Sequence, residues 1–175
     1  NTIEVRLQGE AYFDITKKED HEPAFLVKTP DGSAEVLGTS FVVDADDNRT
    51  RIVLETGAVK VNEIAGDEIV QLKPNEMAEF SRHHSGVIIR EVNPEVYTSW
   101  TERIMKLDNT SFRLVADRLQ KTFGVEVHVV NPALYDRKLT GTLNLTSADH
   151  LMNAVSEVLE IDVKRINDTI VFGSI

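Results

Sequence analysis

The feature that most constrains this chain is the alternation of apolar and polar residues along its first half. From residue 1 to about residue 92, short alternating runs end at glycine, proline or Asx residues roughly every 8–12 positions, which is typical of β-strands joined by turns. No stretch of this region keeps a helical apolar period over three turns. The pattern predicts an all-β first domain over residues 1–92, built either as a two-sheet sandwich or as a short β-solenoid-like stack.

The pattern changes after Val92, where Asn93-Pro94 gives a turn signal. We predict a linker over residues 93–102 and a small α/β domain over residues 103–175, with the element order β-α-β-β-α-β-β. One apolar stripe predicts a helix from about Phe112 to Phe123, and a second predicts a helix from about Ala148 to Glu160, with Thr146 opening a variant capping box. Both stripes could be buried on one face of a five-stranded sheet.

Composition excludes several kinds of site. The formal net charge of −10 argues against nucleic acid or an anionic membrane surface as a partner. The absence of cysteine excludes disulfides, zinc-thiolate sites and cysteine nucleophiles.

The sequence starts without methionine and enters a strand-like segment at once, so we expect a fragment of a longer protein with a membrane anchor upstream.

The segment from residue 44 to residue 55 nearly fits a calcium-binding loop. Oxygen-bearing side chains occupy five of the ligand positions, namely Asp44, Asp46, Asn48, Thr50 and Glu55. However, Arg49 stands where the sharp turn requires glycine, and both flanks are typical of strands rather than helices. The favoured interpretation is therefore a solvated hairpin tip.

No other motif indicates catalysis or metal binding. Adjacent side chains on a strand point to opposite faces, so His83-His84 is better explained as an exposed turn than as a metal site. The chain has neither a Gly-x-Ser-x-Gly elbow nor a glycine-rich phosphate loop. We predict a protein that is not an enzyme, with no catalytic, cofactor-binding or metal-binding residues.

An open sheet keeps two edges whose backbone groups can pair with another chain, and the second domain has candidates for both edges. Small polar residues alternate with leucine from residue 138 to residue 144, and an apolar strand closes a hairpin near residue 171. The predicted partner-binding residues are Lys138, Thr140, Thr142, Asn144, Ile170 and Phe172. The alternative interpretation of residues 138–144 is a half-buried strand with no partner.

Several segments resemble a known family, the FecR-type regulators. They are Gly9–Ile15, Phe25–Gly32, Glu35–Val43, Leu54–Val61 and Leu72–Glu76. Two positions depart from the family's common residues: Asn75 stands in place of glycine and Ser40 in place of arginine.

The second half resembles the small C-terminal domain of the Bacteroidetes branch of that family, which is related to the secretin and TonB short N-terminal fold. The residues that carry this resemblance are Leu107–Thr110, Phe123–Val125 and Thr140–Thr142.

The resemblance implies an anti-sigma regulator that crosses the inner membrane once, with this chain as its periplasmic region. It implies two partners: the signalling domain of a TonB-dependent outer-membrane transporter, and an extracytoplasmic-function sigma factor bound by a cytoplasmic segment. The regulated process would be iron or glycan uptake. An alternative is a periplasmic carbohydrate- or small-molecule-binding sensor. It requires an aromatic-lined pocket in residues 1–92, where the aromatic residues are Tyr12, Phe13, Phe25, Phe41 and Phe80.

Overall fold

The alternating segments of the first half of the chain are β-strands. A computed structural model of the chain describes residues 2–16, 24–66 and 68–173, and the chain divides into two compact units, Asn1–Thr98 and Ser99–Ile175. This division falls inside the predicted linker. The described strands of the first unit are β1 (Thr2–Arg6), β2 (Gly9–Ile15), β3 (Ala24–Thr29), β4 (Gly32–Val36), β5 (Thr39–Ala45), β6 (Thr50–Thr56), β7 (Val59–Glu63), β8 (Ile69–Leu72), β9 (Glu76–Ser81) and β10 (His84–Glu91). A short helix, α1 (Glu95–Thr98), ends the unit.

The ten strands form two five-stranded sheets that share one core. The strand orders are β1-β3-β4-β7-β8 and β10-β9-β6-β5-β2, and successive hairpins alternate between the two sheets. Alternation places one face of each strand inward. Side chains from both sheets therefore meet in a single cluster, which includes Val27 and Val61 from the first sheet and Phe41, Ile52 and Phe80 from the second. Of the two predicted arrangements, the observed one is a sandwich with alternating hairpins.

A fully buried carboxylate ties the two sheets together at one end of the sandwich. Asp31 lies in the β3–β4 turn of the first sheet and has no exposed surface. One carboxylate oxygen accepts a hydrogen bond from the Thr50 hydroxyl at 2.7 Å, and the other accepts from the Arg82 backbone N–H at 2.9 Å. Thr50 and Arg82 belong to the second sheet and its β9–β10 turn, so this group of hydrogen bonds, called here the Asp31 clamp, bridges the sheets.

Gly32 lies next to the clamp, at a position where there is no room for a side chain. Glycine is required there for this reason and not for its backbone conformation. Gly32 does not adopt a positive φ. A Cβ atom added there would overlap the carbonyl oxygen of Asn62 on β7 and come within 2.9 Å of the Phe80 ring. Glycine at this position therefore allows β4 and β7 to approach closely.

The outer face of the second sheet carries a smaller apolar cluster. Val42, Val53 and Met77 pack there against Tyr12 and Tyr97. The Tyr12 hydroxyl donates to the Glu55 carboxylate at 2.7 Å, and burial together with this carboxylate raises the pKa of Tyr12 to about 12. Burial likewise raises the pKa of Tyr97.

The second unit has the predicted element order. Its elements are β11 (Ile104–Ser111), α2 (Phe112–Phe123), β12 (Glu126–Val129), β13 (Lys138–Asn144), α3 (Ala148–Leu159), β14 (Val163–Ile166) and β15 (Thr169–Phe172), with 3-10 helices at Ser99–Glu102 and Pro132–Asp136. The predicted bounds of α2 are confirmed, and those of α3 are confirmed to within one residue. The N-cap of α3 is Ser147, whose hydroxyl accepts from the His150 N–H, so the predicted cap at Thr146 is wrong by one position.

The expectation of one five-stranded sheet in the second unit is wrong. Its strands form a two-stranded sheet, β11-β13, and a three-stranded sheet, β12-β15-β14. Each helix contacts strands of both sheets, because α2 packs on β11 and β12 while α3 packs on β13 and β14. Two small sheets therefore bury the two helical stripes in one common core. In the part of the chain that is described, no helix is long and apolar enough to cross a membrane.

Candidate partner-binding edge

Four of the six predicted partner-binding residues lie on a strand with an open side. Among the described strands β13 pairs with β11 alone, in an antiparallel register that sets Thr142 opposite Lys106. Lys138, Thr140, Thr142 and Asn144 are all exposed, whereas Leu139 between them is buried. β13 thus has a polar exposed face and an apolar face directed at the core, as its alternating sequence predicts.

Two hydrogen bonds determine which backbone groups of β13 point toward the open side. Just beyond one end of the strand, the Leu145 N–H donates to the Arg103 carbonyl at 2.9 Å, and just before the other end the Phe112 N–H donates to the Arg137 carbonyl at 2.8 Å. Residues of an antiparallel strand point their backbone groups alternately toward and away from the partner strand. Residues 137 and 145 both face β11, so the even-numbered residues face away from it.

The open edge of β13 therefore offers the backbone N–H and C=O groups of four residues. These are Lys138, Thr140, Thr142 and Asn144, the same residues whose side chains form the exposed polar face. A fully extended span from residue 138 to residue 144 is about 20 Å long, which suits the addition of a strand of ordinary length.

A β-bulge in β11 lies opposite Thr140 of β13. The register shifts between Leu107 and Thr110, and Asn109 adopts a left-handed conformation with φ of 48°. The Thr140 hydroxyl accepts a hydrogen bond from the Asn109 N–H at 3.1 Å. Thr140 consequently has a structural role as well as an edge position, which makes Thr142 the cleaner position for testing the edge.

The other outer strands of the second unit are shorter or partly covered. The Ser99 hydroxyl accepts from the Lys106 N–H of β11 at 2.9 Å, and the Gln120 side chain accepts from the Val127 N–H of β12 at 3.1 Å. β14 has only four residues and carries two adjacent basic side chains, a composition that limits edge pairing. Within the described residues of this unit, β13 therefore provides the longest open edge.

The edge position predicted for Ile170 and Phe172 is wrong. Both residues lie on β15, which pairs on one side with β12 and on the other with β14. Neither side chain has exposed surface, and the Phe172 ring packs edge-on against Phe112 with centroids 5.0 Å apart. A strand flanked on both sides has no free backbone groups for a partner.

The segment from residue 44 to residue 55 is a β-hairpin between β5 and β6, which confirms the favoured interpretation. Its oxygen ligands do not converge. Asp44 pairs with Arg51, Thr50 donates to Asp31 in the clamp, and Glu55 accepts from Tyr12. The described residues contain no group of three or more His, Cys, Asp or Glu side chains that could hold a metal ion. His83 and His84 are exposed at the β9–β10 turn, as predicted.

Two cavities of the first unit bear on the small-molecule alternative. One, of about 420 Å³, lies at the β4–β5 turn beside Leu37 and Gly57 and has no aromatic residue in its lining. The other, of about 590 Å³, lies at the start of β10 and is lined by the imidazoles of His83 and His84 and by one larger aromatic ring, that of Phe80, which has 3% of its surface exposed. Phe13 packs instead against Phe25 and Phe41, with ring centroids 5.8 and 5.2 Å apart. Neither cavity has the stacked aromatic wall that the alternative requires.

Comparisons with known proteins agree with the resemblance seen in the sequence. The model of the FecR protein family matches residues 1–60, and the model of the FecR C-terminal domain matches residues 104–172. The comparison with curated proteins gave no match.

Two crystal structures of a candidate anti-sigma factor from Parabacteroides distasonis have a similar fold. They are 22% and 23% identical to this chain, with TM-scores of 0.78 and 0.76. In both cases 98% of this chain and 80% of the other chain are covered. The two family matches account for most of the chain, one in each unit, and the chain therefore belongs to the FecR family.

Proposed function

We propose that this chain is the periplasmic signalling region of a membrane-anchored sigma-factor regulator, and that it acts by binding another protein rather than by catalysis. The proposed partner is the signalling domain of a TonB-dependent outer-membrane transporter. The family supports a regulatory role. It also implies a sigma factor as a partner of the whole protein, and we propose that a cytoplasmic segment outside this sequence makes that contact.

The observation that carries the proposal is the open edge of β13. Its four outward residues present unpaired backbone donors and acceptors next to an exposed polar face. Addition of a partner strand to such an edge gives affinity through backbone hydrogen bonds and selectivity through alternate side chains. We therefore propose that the transporter's signalling domain completes the two-stranded sheet β11-β13 as a third strand.

The substitution Thr142→Pro tests this geometry. Proline removes the outward N–H of residue 142 and breaks no hydrogen bond to β11, because proline is tolerated on an edge strand where the N–H side faces solvent. The partner's carbonyl would lose its donor, which costs about 1–3 kcal/mol, so we expect the affinity to fall about 10- to 100-fold. The measurement is isothermal titration calorimetry of the whole chain with the signalling domain of the transporter encoded beside its gene.

Thr142→Val is the matched control, since it keeps the N–H and the β-branched shape and should bind within about threefold of the unchanged chain. Equal thermal unfolding of the variants would show that the fold is intact. Full affinity in a folded Thr142→Pro variant would contradict strand addition at β13.

A further inference from the structure

The first residue of β13 carries a positive charge that no carboxylate of the described residues pairs with. Lys138 is exposed, and the residue directly across from it on β11 is the neutral Ser111. Thr140, two positions further along the same face, is neutral as well. β13 contains no acidic residue.

Two other basic side chains of the second unit have acidic partners. Arg165 pairs with Asp149 at 3.0 Å, and Lys121 pairs with Asp117 at 3.1 Å. Neither Lys138 nor the adjacent Arg137 forms an ion pair with any carboxylate in the described ranges. Lys138 is therefore the one charged residue of β13 and stands at the first position of the open edge, while Lys106, opposite Thr142, carries a further positive charge one strand away.

A strand added to β13 would bring one of its side chains directly beside Lys138. Side chains opposite each other in paired strands have Cβ atoms about 4.5–5.5 Å apart, where opposite charges attract and like charges repel. An added strand would contact β13 directly, and Lys138 is the one charged residue of β13. A carboxylate placed beside it would therefore favour one register of the added strand over registers shifted along it.

Resting on the proposed function, we infer that the strand completing β13 carries an aspartate or glutamate beside Lys138, so that it docks in one register with its acidic position at the start of β13. The partner is thus a strand of the transporter's signalling domain with a carboxylate at one end. This attraction also makes association sensitive to salt.

The test is the charge reversal Lys138→Glu, measured by calorimetry of the whole chain with the signalling domain of the transporter encoded beside its gene. Reversal converts attraction into repulsion at an exposed site, so we expect the dissociation constant to rise about fivefold or more at low salt. The difference from the unchanged chain should shrink at about 0.5 M salt because exposed charges are then screened. The matched control is Lys164→Glu, which reverses an equally exposed lysine on β14 and should leave the affinity within about twofold.

The outcomes separate this inference from the proposed function. Weaker binding by Lys138→Glu alone supports the acidic partner strand. Unchanged binding by Lys138→Glu, together with loss of binding by Thr142→Pro, overturns the acidic partner and leaves strand addition standing. An equal loss in Lys164→Glu would overturn the specific role of Lys138, because it would indicate a general effect of charge. If the unchanged chain does not bind the signalling domain, the proposed function and this inference both fail.

Discussion

Replacing Phe112 with alanine should lower the free energy of unfolding of the second unit by about 3–5 kcal/mol. Phe112 is the first residue of α2 and is fully buried. Its ring stacks on Tyr135 at a centroid distance of 6.2 Å and packs edge-on against Phe172 at 5.0 Å. Truncation would leave a cavity where α2, the 3-10 helix at Pro132–Asp136 and β15 meet, and a close-packed core cannot fill it without rearrangement.

Tryptophan fluorescence is the natural measurement for this variant, because Trp100 is the chain's single tryptophan and lies in the second unit. We expect the urea midpoint reported by Trp100 to fall sharply for Phe112→Ala and much less for Phe112→Leu, which keeps most of the apolar volume. A midpoint unchanged by Phe112→Ala would show that the aromatic cluster is not the centre of this core.

Loss of the Asp31 clamp should destabilise the first unit by about 2–3 kcal/mol. In an Asp31→Ala variant, the Arg82 N–H would lose its acceptor, and the Thr50 hydroxyl would keep only its hydrogen bond to the Thr29 hydroxyl at 3.0 Å. A hydrogen bond to a charged group contributes about 1.5–3 kcal/mol. Because the clamp joins the two sheets, the loss should loosen the sandwich as a whole. Chemical unfolding followed by far-UV circular dichroism would measure it.

Asp31→Asn is the matched control for the clamp. The amide oxygen can still accept from the Arg82 N–H, and the Thr50 hydroxyl can reverse to accept from the amide nitrogen, so we expect a smaller loss than for alanine. We also expect the Trp100 fluorescence transition to stay in place in both variants if the two units unfold separately. A parallel shift of that transition would contradict two independently folding units.

Local patterns predicted the elements of this fold well because they depend on neighbouring residues. The apolar stripe of α2 and the left-handed Gly124 that follows it, with φ of 65°, lie within a dozen residues, and both bounds of the helix are confirmed. The division of the second unit into two sheets was not predictable in this way. Alternation gives each strand a buried face but does not specify which other strand lies beside it.

The Asp31 clamp shows the same limit at the level of single residues. In the sequence, Asp31-Gly32 indicates a turn and nothing more. The partners of the carboxylate, Thr50 and Arg82, lie 19 and 51 residues further along the chain, so only the packing of the two sheets brings them together.

The edge position predicted from the sequence is confirmed for one strand and wrong for another, while partner binding itself stays a prediction. The polar and apolar alternation from Lys138 to Asn144 reflects a strand with one exposed face, and the structure gives it an open edge. Ile170 and Phe172 lie on an apolar strand that is buried on both sides, and such a strand is typical of the middle of a sheet rather than its border. Their apolar character was the available signal against an edge position.

Amide hydrogen exchange of the chain, alone and in complex with the transporter's signalling domain, tests the central claim most directly. In the free chain the N–H groups of Thr140, Thr142 and Asn144 face solvent on the open edge and should exchange quickly. Binding should slow the exchange of these three amides selectively, because each N–H would donate to the added strand. Protection that appears elsewhere in the chain while these amides continue to exchange at the free rate would contradict the claim that β13 is the docking edge.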